Sequence, residues 1–280
     1  MRLAISNIAW DVSEDNEVAT LLRRHGVDAI DIAPGKYFPD PKMVEDVAVT
    51  RVRSWWAERG ISITGMQALL FGTTGLNLFA APAVQKAMLD HLDAVCHIAS
   101  GLGAARLVFG SPKNRDRTGL DDAQADETAV VFFRRLGDVA SSHGVLICLE
   151  PNPSRYGSNF MTDTEDTAKI VQQVSHPAIR MQLDTGAIII NGEDPEKILA
   201  RHARLIGHIH ISEPDLAILG DAATDHRKVA AALVKTLPDH VVSIEMLAAK
   251  NEPHLEAIEH ALRVAIRYYR PERAGRGQAR

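Results

Sequence analysis

A chain of 280 residues, 46% of them hydrophobic, can form one large domain or two small ones and bury a sizeable core. Its net charge of −5 and lack of any long basic block speak against a nucleic-acid partner, and Cys96 and Cys148, far apart in apolar contexts, read as buried thiols rather than a disulfide framework. No apolar run reaches membrane-spanning length and the opening MRLAISNIAWD lacks a signal-peptide apolar region, so a soluble cytoplasmic protein with no membrane partner is expected.

The predicted elements alternate along the whole chain. A β-rich run at 3–10 (LAISNIAW) precedes a helical pattern at 14–26, where Val18, Leu21 and Leu22 share a face and Gly26 suits a stop. Strand runs at 27–33 (VDAIDIA), 61–69 (ISITGMQAL) and 104–110 (AARLVFG) follow, each preceding a helical segment: 43–60, 82–103 and 126–144. Each of these segments ends at a glycine shortly before the next strand. The second half repeats the plan, with strands at 145–151 (VLICLEP), 179–185 (IRMQLDT), 205–212 (LIGHIHIS) and 241–247 (VVSIEML) and helices at 164–174, 195–203, 225–237 and 251–270. Most of the strand runs are continuously apolar, as befits parallel strands buried on both faces. Eight strand–helix units in about 250 residues fit a single (β/α)₈ barrel, here 1–270, better than a doubly wound sheet with its five or six strands and Gly-rich first turn. The basic, Gly-rich 271–280 is expected to be a flexible tail.

In such a barrel, chemistry sits at the C-terminal strand ends. The last four predicted strands end in Glu150, Asp184, His210 and Glu245, one each at matching depth. Alternation along a strand then turns Cys148, Gln182, His208 and Ser243 to the same side, and Leu149, Leu183, Ile209 and Ile244 toward the helices. Taken singly, an Asp at a strand end also serves as a helix N-cap, and a lone His as a satisfied core histidine. Taken together, three carboxylates meeting in one mouth repel unless a proton or a cation intervenes. One imidazole with oxygen donors suits one divalent ion of the Mn²⁺, Mg²⁺ or Co²⁺ kind.

These motifs, LEPNP, LDTG, HIHISE and SIEM in this order, resemble the xylose isomerase-like (β/α)₈ sugar isomerases and epimerases, which include ketose 3-epimerases, hydroxypyruvate isomerase, inosose dehydratase and the endonuclease IV branch. The resemblance covers the whole barrel and is most specific over 145–250. It implies a divalent metal held by Glu150, Asp184, His210 and Glu245, with Glu150 and Glu245 as an acid/base pair on opposite faces of a bound sugar. It also implies a small-molecule sugar partner and a homo-oligomer, dimer or tetramer.

The chain departs from the ketose 3-epimerases where they grip their sugar. They carry a histidine three residues after the strand-6 Asp, a glutamate six after the strand-5 Glu and an arginine six after the strand-7 His; here stand Ala187, Tyr156 and Leu216. The substrate shell is therefore expected to differ. Candidates for it are Lys113 and Arg115 in FGSPKNRDR, Asn152, which shares parity with Glu150, Tyr156, Trp10 and Gln67 at the ends of strands 1 and 3, and Glu213 after the strand-7 ligand. The expected activity is proton transfer through an enediolate by a metal-dependent isomerase or epimerase. A dehydratase that begins with the same steps is the alternative. An endonuclease IV-like phosphodiesterase, which needs more histidines at strand ends, and a non-catalytic sugar-binding barrel are disfavoured.

Overall fold

A computed structural model of the chain describes residues 1–222 and 224–270. The basic segment 271–280, expected to be a flexible tail, lies outside the described residues. Eight parallel strands close into a ring in sequence order: β1 (Arg2–Ser6), β2 (Ala29–Ile32), β3 (Ser62–Met66), β4 (Arg106–Phe109), β5 (Leu146–Leu149), β6 (Ile179–Asp184), β7 (Ile206–Ser212) and β8 (Val241–Glu245). Closure comes from β1 against β8, with Ile5 opposite Ile244. The expected (β/α)₈ barrel is therefore the fold.

Among the described residues, nine α-helices surround the ring: α1 (Asp15–Arg24), α2 (Asp46–Ala57), α3 (Pro82–Leu102), α4 (Asp122–Ser142), α5 (Thr164–Val174), α6 (Thr185–Ile190), α7 (Pro195–His202), α8 (His226–Thr236) and α9 (His254–Tyr269). The glycine stops read from the sequence hold: Gly26, Gly60, Gly103 and Gly144 follow their helices with φ of +61°, +73°, +81° and +70°, a region costly for any residue with a Cβ. Helix α4 begins four residues before the expected 126, because Asp121 and Gln124 form a reciprocal capping box. Helix α6 was not expected at all. Its six residues, TGAIII, are too few and too uniformly apolar to show a helical period.

Outward-facing strand residues such as Ile5, Ile30, Leu107, Ile147 and Ile209 and helix residues such as Leu92, Phe132, Leu136 and Leu262 are buried in one continuous core. Phe109 of β4 meets Phe133 of α4 edge-to-face, ring centroids 5.3 Å apart. The lumen is lined differently, by Ser6, Asp31, Gln182, His208, His210 and Ser243, all essentially inaccessible to solvent. Two register shifts in the ring fall between Ile30 and Asp31 and between Met181 and Gln182, each just before polar lumen residues. Such bulges re-aim the side chains that follow them.

Candidate metal centre

Glu150, Asp184, His210 and Glu245 each offer a ligand atom, and these atoms all lie within 4.8 Å of one another. The four stand at the C-terminal ends of adjacent strands, β5 to β8, so neighbouring strands alone bring them together. Asp184 is level with His210 across the β6–β7 pair, and Ser212 with Glu245 across β7–β8. His210 presents Nδ1 to both glutamates, 3.1 Å from Glu245 Oε2 and 3.7 Å from Glu150 Oε1.

The second oxygen of each glutamate is held by an amide. Gln67 Nε2 donates to Glu245 Oε1 at 2.7 Å, and Asn152 Nδ2 donates to Glu150 Oε2 at 3.1 Å. One oxygen of each carboxylate is thus fixed while the other faces the imidazole. Gly110, at the end of β4, makes room for this arrangement: a Cβ there would stand 2.0 Å from Glu150 Oε2. Gly110→Ala is accordingly expected to displace the Glu150 carboxylate and weaken cation binding at least ~10-fold, the scale seen when groups supporting a ligand are removed; calorimetric titration of the folded variant with Mn²⁺ measures it.

Asp184 answers to two readings at once. It N-caps α6, with Oδ1 accepting from the Ala187 amide at 2.6 Å, and its Oδ2 accepts from Ser212 Oγ at 2.6 Å. Each carboxylate oxygen has a further lone pair, so capping and ligation are compatible. Gly186 lets the chain turn here against β7, since a Cβ would lie 2.8 Å from Ser212 Oγ and the Glu213 carbonyl oxygen.

The electrostatics of the cluster fit a cation. Burial, then the charges of Glu245 and Glu150, push the Asp184 carboxyl up to about 7. Burial would keep His210 neutral, but Glu245 and Glu150 outweigh it and hold the imidazole well above its usual pKa. Glu245 is held below the carboxylate range because His210, against the effect of burial, stabilises its charge. In the protein alone, crowding of the three carboxylates thus favours proton uptake on Asp184 and His210. A divalent cation held by these donors would relieve the same repulsion in place of the protons.

A cavity of about 290 Å³ opens over the cluster, lined by Glu150, Asp184 and Glu245 together with Asn152, Tyr156, Ala187 and Leu216. Tyr156 Oη accepts from the Asp215 amide at 2.7 Å, and Arg155 pairs with Asp215 at 2.5 Å, so the loops after β5 and β7 meet at the rim.

The other sequence candidates fall elsewhere. Trp10 is wholly buried, donates from Nε1 to Asp15 at 2.8 Å and packs on Trp56; it is a core residue, not a stacking platform. Arg115 is also wholly buried and donates from Nη1 to the Glu150 carbonyl oxygen at 2.7 Å, bracing the strand end rather than facing the cavity. Lys113, in the same turn, is exposed and does not line the cavity. Glu213 points away from the mouth: His226 at 2.8 Å, the Gly220 amide at 2.9 Å and Thr224 surround its carboxylate and anchor the loop after β7. Sequence reasoning missed Asp31, a buried carboxylate bonded to His208 Nε2 at 2.7 Å. Burial opposes its ionisation, yet His208 and His210 hold it down to about 2. The signal was available, since VDAIDIA places a charge inside an apolar run just as QLDTG does.

Comparison with known proteins gives the same architecture. Two curated relatives match: a Danio rerio protein whose name refers to hydroxypyruvate isomerase, 28% identical over 165 residues (54% of this chain, 59% of that one), and an inosose dehydratase of Geobacillus thermodenitrificans, 27% identical over 81 residues (29% and 26%). The matched part is thus under two thirds of either relative's length. Among solved structures, D-psicose 3-epimerase in the presence of D-fructose superposes with a TM-score of 0.80 at 17% identity, covering 96% of this chain and 99% of that one. The IOLI protein with a binding zinc atom superposes with a TM-score of 0.75 at 18% identity, covering 96% and 98%. At these identities the structural likeness speaks for the fold. A family model described as xylose isomerase-like TIM barrel matches residues 19–268, nearly the whole ring of strands and helices, and the chain belongs to that family.

Proposed function

We propose that this protein is a divalent-cation-dependent isomerase or epimerase of a sugar or sugar derivative, with Glu150 and Glu245 as its proton-transfer pair. The observation that carries the reading is the four-residue cluster at the floor of the cavity, where each glutamate keeps one oxygen fixed by an amide and turns the other inward. A bound Mn²⁺, Mg²⁺ or Co²⁺ contributes Lewis-acid polarisation of the substrate carbonyl. Glu150, Asp184, His210 and Glu245 would hold it. One glutamate removes the proton from the carbon beside the carbonyl, and the electron pair moves into the carbon–carbon bond of an enediolate. The other glutamate returns a proton. Return to the same carbon on the opposite face is epimerisation; return to the neighbouring carbon is isomerisation. Gln67 and Asn152 keep the two carboxylates from swinging out of line.

Recognition differs from that of the ketose 3-epimerases. The positions where the resemblance implies a histidine, a glutamate and an arginine are Ala187, Tyr156 and Leu216, and all three line the cavity beside the carboxylates. A smaller and less polar grip supports a substrate other than a free ketohexose. The match to an inosose dehydratase supports a second reading, in which the same deprotonation is followed by loss of a hydroxyl.

One experiment separates the outcomes. The protein is incubated in D₂O with Mn²⁺ and a panel of keto sugars, keto-inositols, sugar phosphates and hydroxypyruvate, and proton NMR follows the mixture. Deuterium entering one carbon of one compound, with a new epimer or isomer, is expected. A new alkene or deoxy-ketone signal selects the dehydratase reading. No exchange into any member overturns the proton-transfer reading for those classes.

A further inference from the structure

Behind the ligand histidine, on the side away from the cavity, the lumen holds a second polar constellation. Asp31 reaches from β2 across the barrel to β7, a strand it does not adjoin. Its Oδ2 is bonded to His208 Nε2 at 2.7 Å and stands 3.9 Å from His210 Nε2. Its Oδ1 accepts from Thr64 Oγ1 at 3.0 Å. The space it fills is cut for it: a Cβ on Gly65 would stand 2.6 Å from Oδ1 and 2.9 Å from the carboxyl carbon. The His208 and His210 rings lie 5.2 Å apart, nearly edge-to-face. His210 Nε2 is buried and makes no hydrogen bond, and the acceptor it faces is Asp31.

A negative carboxylate near the far nitrogen of a ligating imidazole attracts its N–H, which favours the tautomer and ring orientation that leave the near nitrogen free to ligate. The near nitrogen here is Nδ1, the one turned to Glu150 and Glu245. We propose that Asp31 is a positioning residue of the cation site: with His208 it forms a strut across the barrel that orients His210 so that Nδ1 faces the cation.

The inference rests on the proposed cation site, and its test keeps the two apart. The folded, cation-free protein and its Asp31→Asn variant are titrated with Mn²⁺ and Co²⁺ by calorimetry, the visible absorption of bound Co²⁺ is recorded, and thermal unfolding of each is followed without metal. The expected result is binding in the parent and binding weaker by ~10- to 100-fold in Asp31→Asn, with an altered Co²⁺ spectrum. Gly65→Ala keeps the carboxylate but crowds it, and is expected to weaken binding in the same direction; it decides the matter if Asp31→Asn does not fold. A residue that only filled space would lower the unfolding temperature and leave affinity and spectrum of the folded protein unchanged. That pattern overturns the positioning role. A parent that binds neither metal overturns the cation site itself.

Discussion

Glu245→Gln is expected to fold and to lose turnover by ~10²- to 10⁴-fold, the range for removal of a positioned acid or base. Glutamine has the volume of glutamate, and its amide oxygen can still accept from Gln67 Nε2, which donates to Oε1 in the parent at 2.7 Å. What disappears is the charge that pairs with His210 Nδ1, and with it the basicity that the proposed proton transfer requires. Because the same residue belongs to the cation cluster, rates are compared at saturating Mn²⁺. Exchange of substrate carbon-bound protons with D₂O, read by NMR, is expected to fall with turnover. Exchange at the parent rate would remove Glu245 from the acid/base pair.

Removing the cation is expected to have an effect at least as large. Prolonged chelation should abolish catalysis, and Mn²⁺ or Co²⁺ should restore it; full activity in a preparation shown by elemental analysis to be metal-free would end the cation-dependent reading. Protonation of the cluster when no cation is bound adds a pH dependence with a defined sign. Asp184 is pushed up to about 7 by burial and by its two glutamate neighbours, so below that pH a proton occupies the site the cation needs. Affinity is therefore expected to weaken as pH falls through about 7, and binding to release protons into a weakly buffered solution.

Much of this was legible in the sequence, and what was missed has identifiable causes. The strands were found because parallel strands covered on both faces read as uninterrupted apolar runs, and the four residues of the cluster because charge in such runs stands out. Trp10 was placed at the mouth because LAISNIAW looks continuous, but the strand stops at Ser6 and the tight turn Asn7–Ala9 carries the indole into the core. Arg115 and Glu213 were chosen by charge and by their place in the loops after strands 4 and 7, yet a turn and a loop direct both away from the cavity, to the Glu150 carbonyl and to His226. Direction in a loop depends on backbone torsions that residue type does not reveal. Asp31 escaped because its partners, His208 and Thr64, are 177 and 33 residues away, and only closure of the ring makes them neighbours.

Ring closure has a kinetic meaning as well. Gln67 and Glu245 are 178 residues apart, and β8 closes the ring by pairing with β1 at the opposite end of the chain. Contacts so distant in sequence form late, after local strand–helix units have paid their loop-closure entropy. A barrel without β8 would hold Glu150, Asp184 and His210 without the fourth carboxylate or its amide brace. The proposed cation site would then be complete only once the last strand is seated.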